Sequence, residues 1–151
     1  MKKIVLFWAM LSVAVLAFPK EGQNPAIAVV KTAQGQAVLL RGSQTVPAVV
    51  GERVLAGDVL KTGPGSSLGL IFKDDAILSL GPSSEVVMDE FIFAPAEKKL
   101  SFLARVQRGT ADFVTGTIGK LSPQSVQIRT PKAIIGIRGT HILIKVDESS
   151  R

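Results

Sequence analysis

A single histidine, two pairs of adjacent acids and several serines are the features of this sequence that could support catalysis. The histidine is His141, and the chain contains no cysteine. A Ser-His-Asp arrangement would need a serine beside that imidazole, but no serine lies in a Gly-x-Ser-x-Gly nucleophile pattern. Asp74-Asp75 and Asp89-Glu90 are neighbours in sequence, and neighbours on a strand point to opposite faces. We therefore interpret both acidic pairs as solvated turn residues.

Metal and cofactor chemistry is not indicated by the composition. A metal site usually needs several His, Cys or clustered acidic ligands. The glycine-containing loop Gly63-Pro64-Gly65-Ser66-Ser67 lacks the lysine and the helix start of a phosphate-binding loop. Tyrosine is absent and the one tryptophan is Trp8, so large aromatics with a polar handle are missing from the rest of the chain. The sequence predicts a non-enzymatic protein without a cofactor.

The first 17 residues are typical of a secretory signal peptide. Lys2 and Lys3 form a basic start, and an apolar run follows over residues 4–16. That run is short for a helix that crosses a bilayer, and small residues place the predicted cleavage after Ala17. We expect an exported, periplasmic protein whose only membrane contact would be an uncleaved signal segment. A lipid anchor on cysteine is excluded, since the chain has no cysteine.

Net charge argues against a nucleic-acid partner. The formal net charge is +6, and loss of Lys2 and Lys3 with the signal would leave +4. This excess looks spread along the chain, whereas nucleic-acid binding requires a basic stripe or patch. The length of 151 residues suits one domain with a core large enough to fold without disulfides.

Short apolar segments recur at roughly 8–12-residue intervals with turn residues between them, which is typical of an all-β fold. We predict a linker over residues 18–26, one all-β domain over 27–147 and a polar tail over 148–151. The domain is expected to be a β-sandwich or roll of about 10–12 short strands, preceded by the signal-peptide helix.

Two further segments have specific predicted structures. Leu100–Val106 alternates over seven residues, Gln107-Arg108-Gly109 follows, and Thr110–Val114 is again apolar in alternation. This pattern predicts a hairpin with a tight turn at Gly109. Thr115–Ser125 is rich in Gly, Ser and Thr, and is predicted to be a loop.

The segment from residue 126 to residue 146 is expected to close the domain. Residues 126–129 alternate between apolar and polar types, which predicts a strand, and Thr130-Pro131 should end its pairing because proline has no N–H. Gly136 and Gly139 interrupt the next apolar run, as glycines do at bulges or close backbone approaches. His141–Val146 is predicted to be the last strand, with Ile142, Ile144 and Val146 on one face.

Two charged residues are candidates for structural roles. Asp58 follows a glycine at a predicted turn, where its carboxylate can accept hydrogen bonds from nearby backbone N–H groups. Arg138 lies in an apolar run, so its guanidinium would need acceptors if it were buried. We predict a buried or half-buried Arg138 bonded to backbone carbonyls or to Asp58, with a cost of roughly 1–3 kcal/mol for Arg138→Met. The alternative is an exposed Arg138 that anchors a partner.

Four motifs occur in a fixed order along the chain. They are Gly57-Asp58-Val59-Leu60-Lys61-Thr62-Gly63, the segment Leu78–Ser84 with its Pro-x-Ser turn, Arg108–Phe113, and Thr130-Pro131-x-Ala133-x-x-Gly136-x-Arg138-Gly139-Thr140. Together they resemble the FecR domain over residues 29–146. The sequence departs from the family pattern at Asp74-Asp75, where the family usually has Asp-Gly.

The resemblance implies a non-catalytic, exported all-β module that mediates protein–protein interaction with an unidentified envelope protein in cell-envelope signalling. The cytoplasmic sigma-factor-binding segment and the C-terminal transporter-contacting domain of the family's regulators are not in this sequence, so those roles are not expected of it. A periplasmic domain that binds a small molecule or a glycan is the alternative. The structural or interaction candidates are Asp58, Thr130, Pro131, Gly136, Arg138, Gly139 and Thr140.

Overall fold

The computed structural model describes residues 24–139 and 141–148. The predicted signal peptide over 1–17, residues 18–23 of the predicted linker, Thr140, and residues 149–151 of the predicted tail lie outside the described residues. The described residues form a 12-stranded sheet, which confirms the all-β prediction. The strands are β1 (Ala26–Gln34), β2 (Ala37–Arg41), β3 (Gln44–Pro47), β4 (Arg53–Leu55), β5 (Val59–Thr62), β6 (Ser67–Phe72), β7 (Ile77–Leu80), β8 (Glu85–Ala94), β9 (Lys99–Val114), β10 (Val126–Arg129), β11 (Ile134–Gly136) and β12 (His141–Val146).

Strand β9 is the longest strand and joins the two halves of the sheet. Its first half pairs with β8 and β10, and its second half pairs with β7 and β12. The predicted hairpin between Leu100 and Val114 is therefore wrong, because the chain continues through Gly109 as one strand. Gly109 adopts a φ of +83°, a conformation that glycine adopts without steric cost. The glycine bends the strand and does not reverse it.

The inner faces of the two halves enclose the hydrophobic core. One half has the order β3-β2-β5-β8-β9-β10-β11, and the other has the order β4-β1-β6-β7-β9-β12. The ring of Phe102, in the first half of β9, lies 5.1 Å from Phe72 on β6 and 4.7 Å from Phe113. All three side chains are fully or almost fully buried. The pattern of alternating apolar residues thus places one face of each half in a shared core.

The first and last strands of the closing segment, residues 126–146, have the predicted bounds, but the direction of one of them was not predicted. β10 ends at Arg129, one residue before Thr130-Pro131, and β12 has the predicted bounds. β10 runs parallel to β9, whereas the other strand pairs are antiparallel. Among the described residues, β11 pairs only with β10 and β12 only with β9, so they form two free edges on the same side of β9.

Two other sequence interpretations differ from the structure. The apolar runs over residues 85–88 and 91–93 predict two separate strands, but they form the single strand β8, with a register shift between Met88 and Glu90. The predicted loop 115–125 contains a short helix, α1 (Thr117–Leu121). Across residues 24–139 and 141–148, no helix has the length and apolar character needed to span a membrane.

Candidate functional site

Three motif segments that are distant in sequence meet at a buried hydrogen-bonded cluster. Thr62 Oγ1 donates to the Gly81 carbonyl oxygen at 2.7 Å and accepts from the Ser84 N–H at 2.9 Å. Ser84 Oγ accepts from the Thr110 N–H at 2.9 Å, and this hydroxyl lies 3.2 Å from the carbonyl oxygens of Thr110 and Pro82. Both hydroxyl side chains are buried. Their hydrogen bonds are satisfied within the cluster, which makes it a structural element that joins β5, the turn between β7 and β8, and β9.

Asp58 is buried and forms a hydrogen-bonded ion pair with Arg41. Its Oδ2 accepts from the Leu55 N–H at 2.9 Å, as expected for a turn aspartate, and from Arg41 Nη2 at 2.8 Å. Arg41 Nε also donates to Asp58 Oδ1 at 3.0 Å, so the contact is bidentate. The hydrogen bond to Asp58 raises the pKa of Arg41 above its ordinary value. The basic partner of Asp58 is therefore Arg41 and not Arg138.

Arg138 is exposed, so the predicted buried or half-buried guanidinium is wrong. It lies two residues after the end of β11 at Gly136. The expected cost of Arg138→Met no longer applies, since the substitution would leave no buried acceptor unpaired. The exposed position agrees instead with the alternative in which this arginine is available to a partner.

The remaining closing-motif residues form the turn and edge around β11. Thr130 Oγ1 accepts from the Ala133 N–H at 3.0 Å and thereby fixes the turn that contains Pro131. Gly136 lies in β11 without a register shift, and a Cβ there would meet nothing within 4 Å apart from its chain neighbours, so neither a bulge nor a close backbone approach occurs at this glycine. The Gly139 carbonyl accepts from Thr115 Oγ1 at 2.9 Å. Thr140, the last residue of the motif, lies outside the described residues.

Of the two acidic pairs, Asp75 is an exposed turn residue as predicted, whereas the prediction of solvated turns is wrong for Asp74, which is buried, and for Asp89-Glu90, which lies in β8. Asp74 is buried, and its carboxylate accepts from the N–H groups of Ala76 and Ile118 at 3.2 Å. It thus connects the β6–β7 turn to α1. Asp75 is exposed with a φ of +66°, at the position where the family usually has glycine. Asp89 lies within β8 and forms a bidentate ion pair with Arg105.

His141 forms an exposed pair with Asp112, with Nε2 and Oδ1 2.7 Å apart. Asp112 lies on β9. The strand register places Ser79 of β7 on one side of it and Leu143 of β12 on the other. Asp112 therefore lies between the serine and the strand that holds the histidine. A nucleophilic triad needs the histidine between the serine and the carboxylate, so this order does not suit a Ser-His-Asp mechanism.

An open groove of about 750 Å³ lies between the β10–β11 hairpin and β12. Pro131, Lys132 and Ile135 line the hairpin side, and Leu143 and Lys145 line the β12 side. On this side, β9 pairs with β10 as far as residue 105 and with β12 from residue 109. Residues 106–108 of β9 therefore pair with neither β10 nor β12, and Gln107 and Arg108 line the groove. The groove is the point where the two halves of the sheet separate.

Leu143 and Ile134 are surface residues that the sequence interpretation missed. They are the most exposed large apolar residues in the described part of the chain, at 68% and 69%. One belongs to β12 and the other to β11, the two free edges beside the groove. The sequence contained a signal for Leu143: it shares its strand phase with His141 and Lys145, opposite to the predicted core face.

A second, more polar pocket of about 700 Å³ lies next to Arg41 and Asp58 and is also lined by Glu52 and Arg53. It is the candidate site for the alternative role in ligand binding. However, Asp58 and Arg41 bond to each other, and Arg41 Nη2 also donates to the Arg53 carbonyl at 2.8 Å. These polar groups are therefore bonded within the fold, whereas the groove beside β12 presents the exposed Leu143.

The described residues contain no group of three or more His, Cys, Asp or Glu side chains placed to hold a metal ion. Comparison with curated proteins and with solved structures gave no match. Residues 58–151, more than half of the chain, match the family model described as FecR protein. The match begins at Asp58, later than the resemblance inferred from residue 29. This family is a signalling and regulatory family associated with the cell envelope. The chain belongs to the FecR family.

Proposed function

We propose that this chain is a non-catalytic module of the periplasm that binds a protein partner in cell-envelope signalling. The family association supports the signalling role, and the apolar residues on the free edges β11 and β12 support the protein partner. An exposed edge offers unpaired N–H and C=O groups to another strand. Addition of a strand to such an edge is a common mode of peptide and protein recognition.

The difference between the sheet edges is the main observation in favour of this proposal. β3 contains Pro47, and β4 has only three residues, and both features protect an edge from association. β12 has six residues and exposes Leu143. β12 is longer than β3 and β4 and combines a large exposed apolar residue with the charged Lys145. This combination favours a partner that covers the apolar residue.

Capture from envelope extract with the tagged full-length chain tests the proposal. We expect one protein to be retained in a saturable manner, and we expect Leu143→Asp to reduce its retention at least about tenfold, because a charge would be buried at the contact. Val50→Asp is the matched control, since Val50 is 65% exposed but lies in the loop between β3 and β4. Retention without saturation, or equal losses for both variants, would contradict the proposed function.

A further inference from the structure

Basic residues are concentrated in the part of the chain that forms the groove beside β12. Residues 24–112 contain nine acidic and nine basic residues, so this part of the domain is neutral. Residues 113–148 contain five basic residues and two acidic residues, Asp147 and Glu148, for a net charge of 5 − 2 = +3. The net positive charge of the described domain therefore lies after residue 112 and is not spread along the chain, contrary to the expectation from the sequence.

Three of these five cations belong to the β10–β11 hairpin or its end. Arg129, Lys132 and Arg138 are all exposed. Within residues 24–139 and 141–148, none of the three forms an ion pair with a carboxylate. By contrast, Arg41 and Arg105 each have an aspartate partner. The β10–β11 hairpin and its end thus carry three positive charges that no carboxylate among the described residues neutralises.

The acidic residues at one end of the groove are already paired. Arg108 Nη1 donates to Glu148 at 2.9 Å, and Lys145 Nζ lies 3.4 Å from Asp147. Of the described cations that line the groove, Arg108 and Lys145 thus have acidic partners, and Lys132 has none. Lys132 lines the groove directly. A partner that enters the groove would therefore be favoured by negative charge.

The exposed face of β12 specifies the spacing of the partner's side chains. Leu143 and Lys145 are two residues apart on the same strand and are both exposed, so they project from the same face. A strand added to the free edge of β12 would place one side chain beside each of them. An apolar residue suits Leu143. Lys145 and Asp147 are 3.4 Å apart and both are largely exposed, so a partner carboxylate two residues away can replace Asp147 beside Lys145.

We infer that the groove beside β12 binds an extended, acidic segment of the partner protein, in which apolar and acidic residues alternate on one face. This inference rests on the proposed function and specifies the chemistry of the partner. A planar anionic membrane is a poorer fit, because the site is concave and Asp147 and Glu148 line it as well. The free edge of β12 also matches a peptide backbone, which a lipid surface does not provide.

Binding of two synthetic peptides to the full-length chain tests the inference. The acidic probe is the repeat Val-Thr-Glu-Thr in three copies, and the comparison peptide has lysine in place of each glutamate. We expect the acidic peptide to bind about tenfold more tightly at low salt, since each charge pair beside a strand contributes a fraction of a kcal/mol. The difference should shrink in high salt, because exposed charges are screened.

A matched pair of variants locates the site. Lys132→Glu should abolish the preference for the acidic peptide, whereas Lys73→Glu, at an exposed lysine of the β6–β7 turn, should leave it unchanged. Equal affinity for both peptides, or equal effects of the two variants, would overturn the inference. Binding to phosphatidylglycerol vesicles that depends on Lys132, without peptide binding, would overturn it in favour of a membrane surface.

The two proposals fail in different ways. If the full chain retains a saturable envelope protein and Lys132→Glu does not weaken that retention, the proposed function stands and the acidic segment is ruled out. If no envelope protein is retained in a saturable manner, the proposed function is ruled out whatever the peptides show.

Discussion

Replacement of Gly109 by alanine is expected to lower the free energy of unfolding by about 2–5 kcal/mol, the sum of backbone strain and overpacking. Gly109 has a φ of +83°, and a Cβ there would lie 2.5 Å from the Ser84 Cα. The Ser84 backbone cannot move easily, because its N–H and hydroxyl belong to the buried cluster with Thr62 and Thr110. Urea denaturation of the purified protein would measure the change.

Gly51→Ala is the matched control for this substitution. Gly51 has a φ of +92°, but no atom lies within 4 Å of the position that a Cβ would occupy. It should show only the conformational cost of about 1–2 kcal/mol. Equal losses of unfolding free energy for the two variants would mean that Gly109 and Ser84 are not in the close contact that the structure indicates.

Replacement of Asp58 by alanine is expected to cost about 3 kcal/mol, since it leaves Arg41 and the Leu55 N–H without their acceptor. Asp58 is 1% exposed, whereas the Arg41 side chain is 30% exposed, which places the effect at the lower end for a buried ion pair. Thermal and urea unfolding would measure it.

Asp89→Ala provides the comparison, because Asp89 forms the same bidentate contact with Arg105 at the surface. We expect a loss of about 0.5 kcal/mol there, as for other exposed ion pairs. If Asp58→Ala were as mild as Asp89→Ala, the structural role that we assign to the Gly-Asp motif would be wrong.

Local patterns were sufficient for most strands but not for the path of β9. The alternation in β6, β10 and β12 reports which side chains are buried, so their bounds follow closely from the sequence. Gly109 was interpreted as a turn because a glycine between two alternating segments usually marks one. Whether the chain reverses or bends there depends on the long-range contact with Ser84, which local sequence does not contain.

Polar residues were misplaced for the same reason. The sequence predicts a solvated Asp74, because acids are seldom buried. In the structure, its Oδ2 accepts a hydrogen bond from the N–H of Ile118, which is 44 residues away. The sequence also could not select Arg41 over Arg138 as the partner of Asp58, since several arginines were available. In contrast, the absence of acids from residues 113–146 was visible in the sequence.

Hydrogen exchange along the chain, with and without the envelope protein captured by it, tests most directly whether β12 is the binding edge. In the free protein, the amides of His141–Val146 that do not face β9 should exchange rapidly, since a single neighbouring strand protects only part of an edge. The partner should slow exchange in His141–Val146 and leave the β3 edge, Gln44–Pro47, unchanged. Unchanged exchange in His141–Val146 upon binding, or protection of Gln44–Pro47 instead, would contradict the account.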